Sequence, residues 1–426
     1  MNLTEKLAQK LQNLLSKKQI VDYVLYNNEY YKVEFNNKID KNHHLNKPIE
    51  IEENSKGLYT IVWNDMEYSE GEVDNTYLNK IDEWIETAYE NRLSLCDNEK
   101  IFIPSKSLYP LVICNDRQLS NSIYEPEYLF KIIKLIEETA KILNIRLDYN
   151  LEVIDGTKYL YSSRGITEEF IYTKFDLKIT IPKVVNWSYT VSYQPSLKEI
   201  SDILSFVGNY YEFFEKSKEV KTANLQNSSI VFSPQATEEI LTEFFLSNFS
   251  STNIVLDKSI YKIQDFIEKR KLFGRASIAY DPMLKQQPGS YRFTSYGTVA
   301  EKQYIVRLGK LNVPFGDNKN YLKFSLDTPT VEFVHFNNLT FEGIKTQPLF
   351  NFNNSNFVYC FSLSGMKNKN GRTFRLVINN AIYTNSRNKN RVPIVHLEID
   401  LAKKFENSEI EFYTTPTKQK GMIIKI

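Results

Sequence analysis

SSIVFSPQATEEILTEFFLSNFS, residues 228 to 250, holds a short apolar strand, Ile230 to Phe232, followed by a helix from Gln235 to Phe249. A shorter helix is expected near Ile263 to Lys271. Beyond it nearly every segment reads as strand: YLKFSL (321–326), TVEFVHF (330–336), FVYCFSL (357–363), TFRLVIN (373–379), VPIVHLEI (392–399), IEFYTT (410–415) and GMIIKI (421–426). So many short strands separated by turn signals imply an antiparallel sheet or barrel-like core around the helix 235–249. Just before the quoted stretch, EKSKEVKTANLQNSS (215–229) is charged and polar, which makes it the linker. The chain therefore divides into an N-terminal domain, 1–220, and a β-rich C-terminal domain, 226–426.

The N-terminal half mixes helices and strands, so the fold class is α+β. Leu3, Leu7, Leu11 and Leu14 form one stripe of a first helix. Tyr23 to Phe35 reads as a pair of strand-like runs, and Asn36 to Ser55 as a loop. GLYTIVWNDMEYSEG (57–71) alternates across a turn at Asn64-Asp65, and Tyr77 to Asn91 returns to helical spacing. After prolines 104 and 110, Glu125 to Ile145 is the clearest helix, with Leu129, Ile132, Ile133, Ile136, Ala140 and Leu143 on one face. From Leu147 to Tyr193 the period becomes two. Ile171, Thr173, Phe175, Leu177, Ile179 and Ile181 alternate with polar residues, which predicts antiparallel strands with one wet face. Leu197 to Phe214 is a further helix. Two subunits, about 1–100 and 115–220, are expected within this domain.

Composition removes several function classes. The 426 residues carry 53 Lys+Arg against 52 Asp+Glu, a net charge of +1, which excludes a histone-like or acidic-tail protein. Tyr 28 and Phe 27 against Gly 14 favour strands, and only four histidines are available for chemistry. Cys96, Cys114 and Cys360 form neither a disulfide framework nor a zinc knuckle, so a reducing compartment is expected. No segment approaches the roughly 18 apolar residues of a membrane-spanning helix. A cytoplasmic protein with no membrane partner is the expectation.

Four colinear stretches resemble the TldD/PmbA family, a set of two-domain proteins that includes zinc metallopeptidases. Residues 57–88 are similar to its early strand pair and helix, and residues 127–181 to its helix, strand and N-S-x-G turn, here Ser162-Ser163-Arg164-Gly165. Residues 228–250 resemble the entry to its central helix through Ser233-Pro234. IAYDPMLKQQPGSYRFTSYGTVAEKQYIVRLGKL (278–311) is similar to a third family motif, through Asp281, Pro282, Gly289, Ser290, Phe293 and Gly297. The resemblance implies a two-domain fold and makes these residues cleft candidates. Catalytic members carry HExxxH on the central helix, and the three positions fall here on Thr242, Glu243 and Ser247. Both histidine ligands are replaced, leaving Glu243 as a vestigial base position. Where F-D-x-E-G is usual, this chain has Phe293-Thr294-Ser295-Tyr296-Gly297. No family role carries over to Cys360.

Read bottom-up, the absence of both ligands removes the metal-activated water, because zinc needs about three protein donors to keep a fourth position open. No cofactor is expected in this chain, and zinc only in a catalytic partner. Other sharp readings give way to plainer ones. His43-His44 is a solvated loop, and His335 a hydrogen-bonded core residue on a strand. His396, Glu398 and Asp400 form a charged solvent face. The basic patches 267–275, 366–372 and 386–391 could touch phosphate, but a charge of +1 argues against nucleic acid. The expected function is a metal-less, non-catalytic partner subunit of a TldD/TldE-type peptidase complex acting on unfolded peptides. It would pair with a TldD-like chain or with itself. The alternative is a free-standing peptide- or ligand-binding protein of the same fold.

Overall fold

In a computed structural model of the chain, the residues described are 3–37, 52–64, 67–74, 80–94, 103, 105, 107–182, 184–220, 228–295, 297–316, 333, 335–347, 357–384, 389–415 and 418–425. His43-His44, the strand expected at 321–326, the asparagine-rich 351–356 and most of 330–334 lie outside them.

The N-terminal half is built on a seven-stranded, wholly antiparallel sheet. Its order is Leu93–Ser94, Glu67–Asp74, Glu52–Asn64, Asp22–Asn37, Asp148–Ser162, Thr167–Ile181 and Val185–Val191. The segment expected as two runs, Tyr23 to Phe35, is one long strand. It pairs with Glu52–Asn64 on one side and Asp148–Ser162 on the other, so one sheet runs through both expected subunits. Helices Leu3–Ser16 and Ile81–Glu90 bury Leu7, Leu11, Trp84 and Ala88 against one end of it. At the other end lie Glu127–Leu143 and Leu197–Glu215, the latter opened by a Ser196/Glu199 capping box that satisfies its first orphan N–H groups. The helix expected from Glu125 is interrupted at Pro126. A separate helix, Arg117–Tyr124, precedes it, capped by Asp116, whose Oδ1 accepts from Gln118 and Leu119.

The C-terminal half contains a nine-stranded sheet and a four-stranded one. The nine-stranded order is Thr346–Gln347, Ile410–Thr414, Lys420–Lys425, Ser229–Phe232, Phe357–Cys360, Thr373–Thr384, Lys389–Asp400 and Lys218–Glu219, with Leu363–Asn368 also pairing to Thr373–Thr384. It is mixed rather than antiparallel, because Ser229–Phe232 runs parallel to Phe357–Cys360. The four-stranded sheet, Lys310–Leu311, Gln303–Arg307, Ser277–Tyr280 and Leu339–Glu342, is antiparallel. The expected strand 330–336 is not what surrounds His335: Phe336–Asn338 is a 3₁₀ turn, and the His335 Nδ1 accepts from Asn337 N at 3.2 Å. The short helix near 263 ends at Ile267, and Lys271 instead bridges to Lys310.

Burial explains how the halves meet. Ile230 and Phe232 belong to the cluster formed with the helix Pro234–Phe249, while Val231, between them, joins the cluster of Leu197–Glu215. The period of two thus sends one strand's side chains into two cores. The predicted wet face of Thr167–Ile181 is wet only in part. Phe170 and Asp176 on that face are buried at 2% and 7% exposure, because C-terminal residues pack over it.

The central helix buries Ile240, Leu241, Phe244, Phe245 and Phe249. The Phe244 ring stacks on Phe405 at 5.4 Å and meets the Phe374 ring edge-on at 6.2 Å. Phe244→Ala should cost about 3–5 kcal/mol through lost transfer energy and an unfilled cavity. Equilibrium unfolding in urea checks this; a cost under 1 kcal/mol would mean that the site collapses around alanine, by the same ~ scale.

Candidate functional site

Ser233 fixes how the central helix leaves its strand. Its Oγ accepts from Ala236 N at 3.2 Å as the N-cap and donates to the Phe361 carbonyl at 2.7 Å, while its N–H donates to Cys360 O at 2.9 Å. Pro234 occupies the first turn, where its missing N–H costs nothing. Both are buried, so these two cleft candidates tie helix to sheet.

Two and a half turns on, one Glu243 oxygen, Oε1, accepts from Ser247 Oγ at 2.8 Å and from Asn368 Nδ2 at 3.2 Å. Asn368 Nδ2 also reaches Ser247 Oγ at 2.9 Å, and its Oδ1 accepts from Gly371 N at 2.6 Å. Asn248, fully buried, holds the same turn through Gly371 O at 2.6 Å. Thr242 is half-buried beside them. Zinc prefers imidazole nitrogen and thiolate sulfur; here stand one carboxylate, two hydroxyls and an amide whose N–H groups are donors. These residues do not fit zinc. Among the described residues no three His, Cys, Asp or Glu side chains gather as a metal would require.

A second polar group, which sequence reading missed, lies on another side of the same helix. His335 Nε2 stands 3.7 Å from Glu238 Oε1, with side chains 25% and 40% exposed. Glu239 and the sheet residue Asp176 raise the Glu238 carboxyl after burial has done most of the work, to about 7. Burial, helped by Lys174, lowers the His335 imidazole to about 4. Asp176 itself accepts from Thr190 Oγ1 at 2.6 Å and lies 3.9 Å from Lys174 and 3.6 Å from Lys178. Burial also raises Glu239, against a hydrogen bond from Gln235. Because Nδ1 of His335 accepts from Asn337, a neutral ring carries its proton on Nε2, toward Glu238.

The third-motif residues divide. Asp281, Gly289 and Ser290 converge on the buried Asn338, whose Nδ2 donates to Asp281 O and Ser290 Oγ, both at 2.9 Å. At Gly289 any Cβ would fall 2.2 Å from the His335 Cβ, so only glycine fits and this group adjoins the Glu238 side. Pro282 accepts from Tyr291 N at 2.8 Å. Phe293 and Gly297 sit elsewhere: the Phe293 ring meets Tyr26 and Tyr109 edge-on, and the Tyr109 hydroxyl donates to Gly297 O at 3.0 Å. Tyr296 lies outside the described residues. Of the other candidates, Glu398 pairs with Lys369 at 2.6 Å, Asp400 pairs with Arg372 at 2.6 Å, and His396 is exposed. Cys360 is a free, buried thiol whose pKa burial pushes well up.

A seven-stranded antiparallel sheet joined to a mixed sheet, with a central helix between strand Ser229–Phe232 and the rest of the C-terminal half, defines an α+β two-domain fold. Residues 226–405 match the model of the PmbA/TldA metallopeptidase C-terminal domain family. The chain covers its structural neighbours almost end to end. A Bacteroides thetaiotaomicron protein described as a modulator of DNA gyrase is 13% identical over 100% of this chain and 98% of that one, with a TM-score of 0.72. TldE from Thermococcus kodakarensis is 12% identical over 98% of each chain, with a TM-score of 0.72. A Thermotoga maritima protein, also described as a modulator of DNA gyrase, is 11% identical over 99% and 98%, with a TM-score of 0.74. At such identities the shared property is the fold. Among curated protein sequences none matches.

The Glu238–His335 pair gives a signed prediction. His335 contributes stability that is present above pH 6.5 and lost as pH falls toward about 4. Glu238 contributes stability that is present below pH 4.5 and lost as pH rises through about 7. Between these limits the two slopes oppose each other. Glu238→Gln should therefore make stability rise with pH across that interval, and His335→Asn, which keeps an acceptor for Asn337, should make it fall. Urea midpoints over a pH series check the signs; parallel slopes in both variants would refute the assignment.

Proposed function

We propose that this chain is the metal-less partner of a TldD-like zinc peptidase subunit, shaping a complex that acts on unfolded peptides without itself hydrolysing them. The observation carrying the reading is the Glu243–Ser247–Asn368 hydrogen-bonded group at the positions of the metal motif. A carboxylate that already accepts from a hydroxyl and an amide, with no metal-bound water to deprotonate, is a structural group rather than a general base. The C-terminal domain family is named for metallopeptidases, and one neighbour is a TldE, which agrees with the same reading. In it, domain 1–220 and domain 226–426 together form the cleft wall, and an extended peptide lies along it as an added strand. A reducing, cytoplasmic setting suits the buried free thiols Cys114 and Cys360.

The purified chain alone should hold no stoichiometric zinc and cleave no unfolded peptide. Added to a companion bearing intact HExxxH, it should form a dimer by light scattering and give chelator-sensitive cleavage that neither chain gives alone. Chelator-sensitive cleavage by this chain alone would overturn the proposal. A clean monomer that ignores the companion would favour a free-standing binder.

Rebuilding the motif tests how far the site has drifted. Thr242→His with Ser247→His restores two imidazoles, yet the i, i+5 spacing separates them by about 140° on a straight helix. Asn368 also offers a donor rather than an acceptor to orient them. Calorimetric zinc titration should give weak or no binding; submicromolar one-to-one affinity would show that a ready site persists.

A further inference from the structure

The three basic stretches seen in the sequence have different fates. In the second, Lys369 pairs with Glu398 at 2.6 Å, and Arg372 with Asp400 at 2.6 Å and Glu406 at 3.5 Å. In the third, Arg391 pairs with Glu219 at 2.9 Å, and the Lys389 Nζ lies 4.4 Å from the centre of the Phe213 ring. In the first, 267–275, only Arg270 is paired, to Asp265 at 3.0 Å, and the nearby Glu268 accepts from Gln264. Among the described residues Lys269, Lys271 and Arg275 have no carboxylate partner, nor do Arg307 and Lys310 on the hairpin alongside.

That hairpin breaks three local rules at once. Its strands, Gln303–Arg307 and Lys310–Leu311, are joined by Leu308-Gly309, both at positive φ, 50° and 80°. Such a turn favours Asn-Gly, and leucine there is strained. Leu308 is nonetheless 70% exposed, and Ile267, which ends the short helix Ile263–Ile267, is 59% exposed. Arg307 is registered directly opposite Lys310, and Lys310 bridges to Lys271, so three cations stand in a row across neighbouring strands. Like charges about 5 Å apart on one face destabilise a sheet. The tip is nevertheless built firmly: Leu308 N donates to Ser277 Oγ at 2.9 Å and Gly309 N to Ala276 O at 2.7 Å. A Cβ at residue 309 would come within 2.1 Å of the Gly274 carbonyl.

We propose that this hairpin tip, with residues 267–275, is a peripheral docking surface for a bilayer rich in anionic phospholipid. The cation row would meet the headgroup phosphates and carboxylates while Leu308 enters the acyl boundary. An exposed leucine beside a row of cations suits a deformable plane, whereas an acidic peptide needs a groove. Single-stranded nucleic acid would want a free aromatic platform, and Tyr304 on this hairpin is occupied by Arg307 and Lys302, 5.4 Å and 5.3 Å from its centre. No helix of the described residues is long and apolar enough to cross a membrane, and surface attachment requires none. The proposal is independent of the peptidase reading.

Vesicle flotation of the full chain tests it. The protein should float with phosphatidylcholine vesicles containing phosphatidylserine, not with phosphatidylcholine alone, and raised salt should release it. Lys271→Glu with Lys310→Glu should abolish flotation. Leu308→Asn should weaken it by about tenfold while leaving the thermal midpoint equal or higher, since asparagine tolerates positive φ. Failure to float, equal flotation on both vesicles, or flotation untouched by either variant would overturn the proposal. So would binding only to polyglutamate or duplex DNA that survives Leu308→Asn.

Discussion

Everything in the C-terminal half is arranged about Ile230, Val231 and Phe232, three consecutive residues with 1%, 3% and 0% exposure. A strand buried on both faces needs apolar cover on each, and it cannot slip register without turning every side chain to the wrong core. One cover is the central helix that the strand itself feeds. The other is Leu197–Glu215, which also packs on the N-terminal sheet and contributes Tyr210, Phe213 and Phe214 to the cluster containing Val231, Tyr359 and Tyr413. Shared burial of this kind couples the halves far more firmly than a linker alone.

Fixing the central helix fixes which chemistry can occur beside it. Its first turn is locked by Ser233, so the faces carrying Glu238 and Glu243, five positions apart, diverge by about 140°. Glu243 looks toward Asn368, on the strand Leu363–Asn368. Glu238 looks toward His335 and the N-terminal sheet. In the first group Glu243 Oε1 accepts from Ser247 and Asn368, whereas the second places a carboxyl and an imidazole in partly buried surroundings. Glu238 and His335 are thus pushed in opposite directions by their surroundings, the carboxyl up and the imidazole down.

Much of this was legible in the sequence because periodicity is local. The alternation from Thr173 to Ile181, the stripe of Leu129 to Ala140 and the apolar Ile230–Phe232 all report burial within one element, whereas Ile171, expected on the same face, is 43% exposed. What escaped depended on partners distant along the chain. Asp176 reads as a wet-face residue until C-terminal residues cover it, and His335 reads as part of a strand until the 3₁₀ turn and Glu238, nearly a hundred positions earlier, are seen together. Lys271 and Lys310 are each an ordinary surface lysine in sequence; only the bridge between them makes a charge row. The helix Arg117–Tyr124 carried its own signal in the Asp116 cap, but its stripe is too short to stand out from the coil around it.

The hydrogen-bonded group around Glu243 also has a mechanical side, because side-chain bonds from a helix to a neighbouring turn fix the two against each other. Ser247 and Asn368 supply a tie between the central helix and the turn after Leu363–Asn368, reinforced by Asn248 through Gly371. Each such hydrogen bond contributes only about 1 kcal/mol net, but leaving Glu243 half-buried without them would cost more than that. The hydroxyl and amide are thus what a helix needs to keep a half-buried carboxylate at this position.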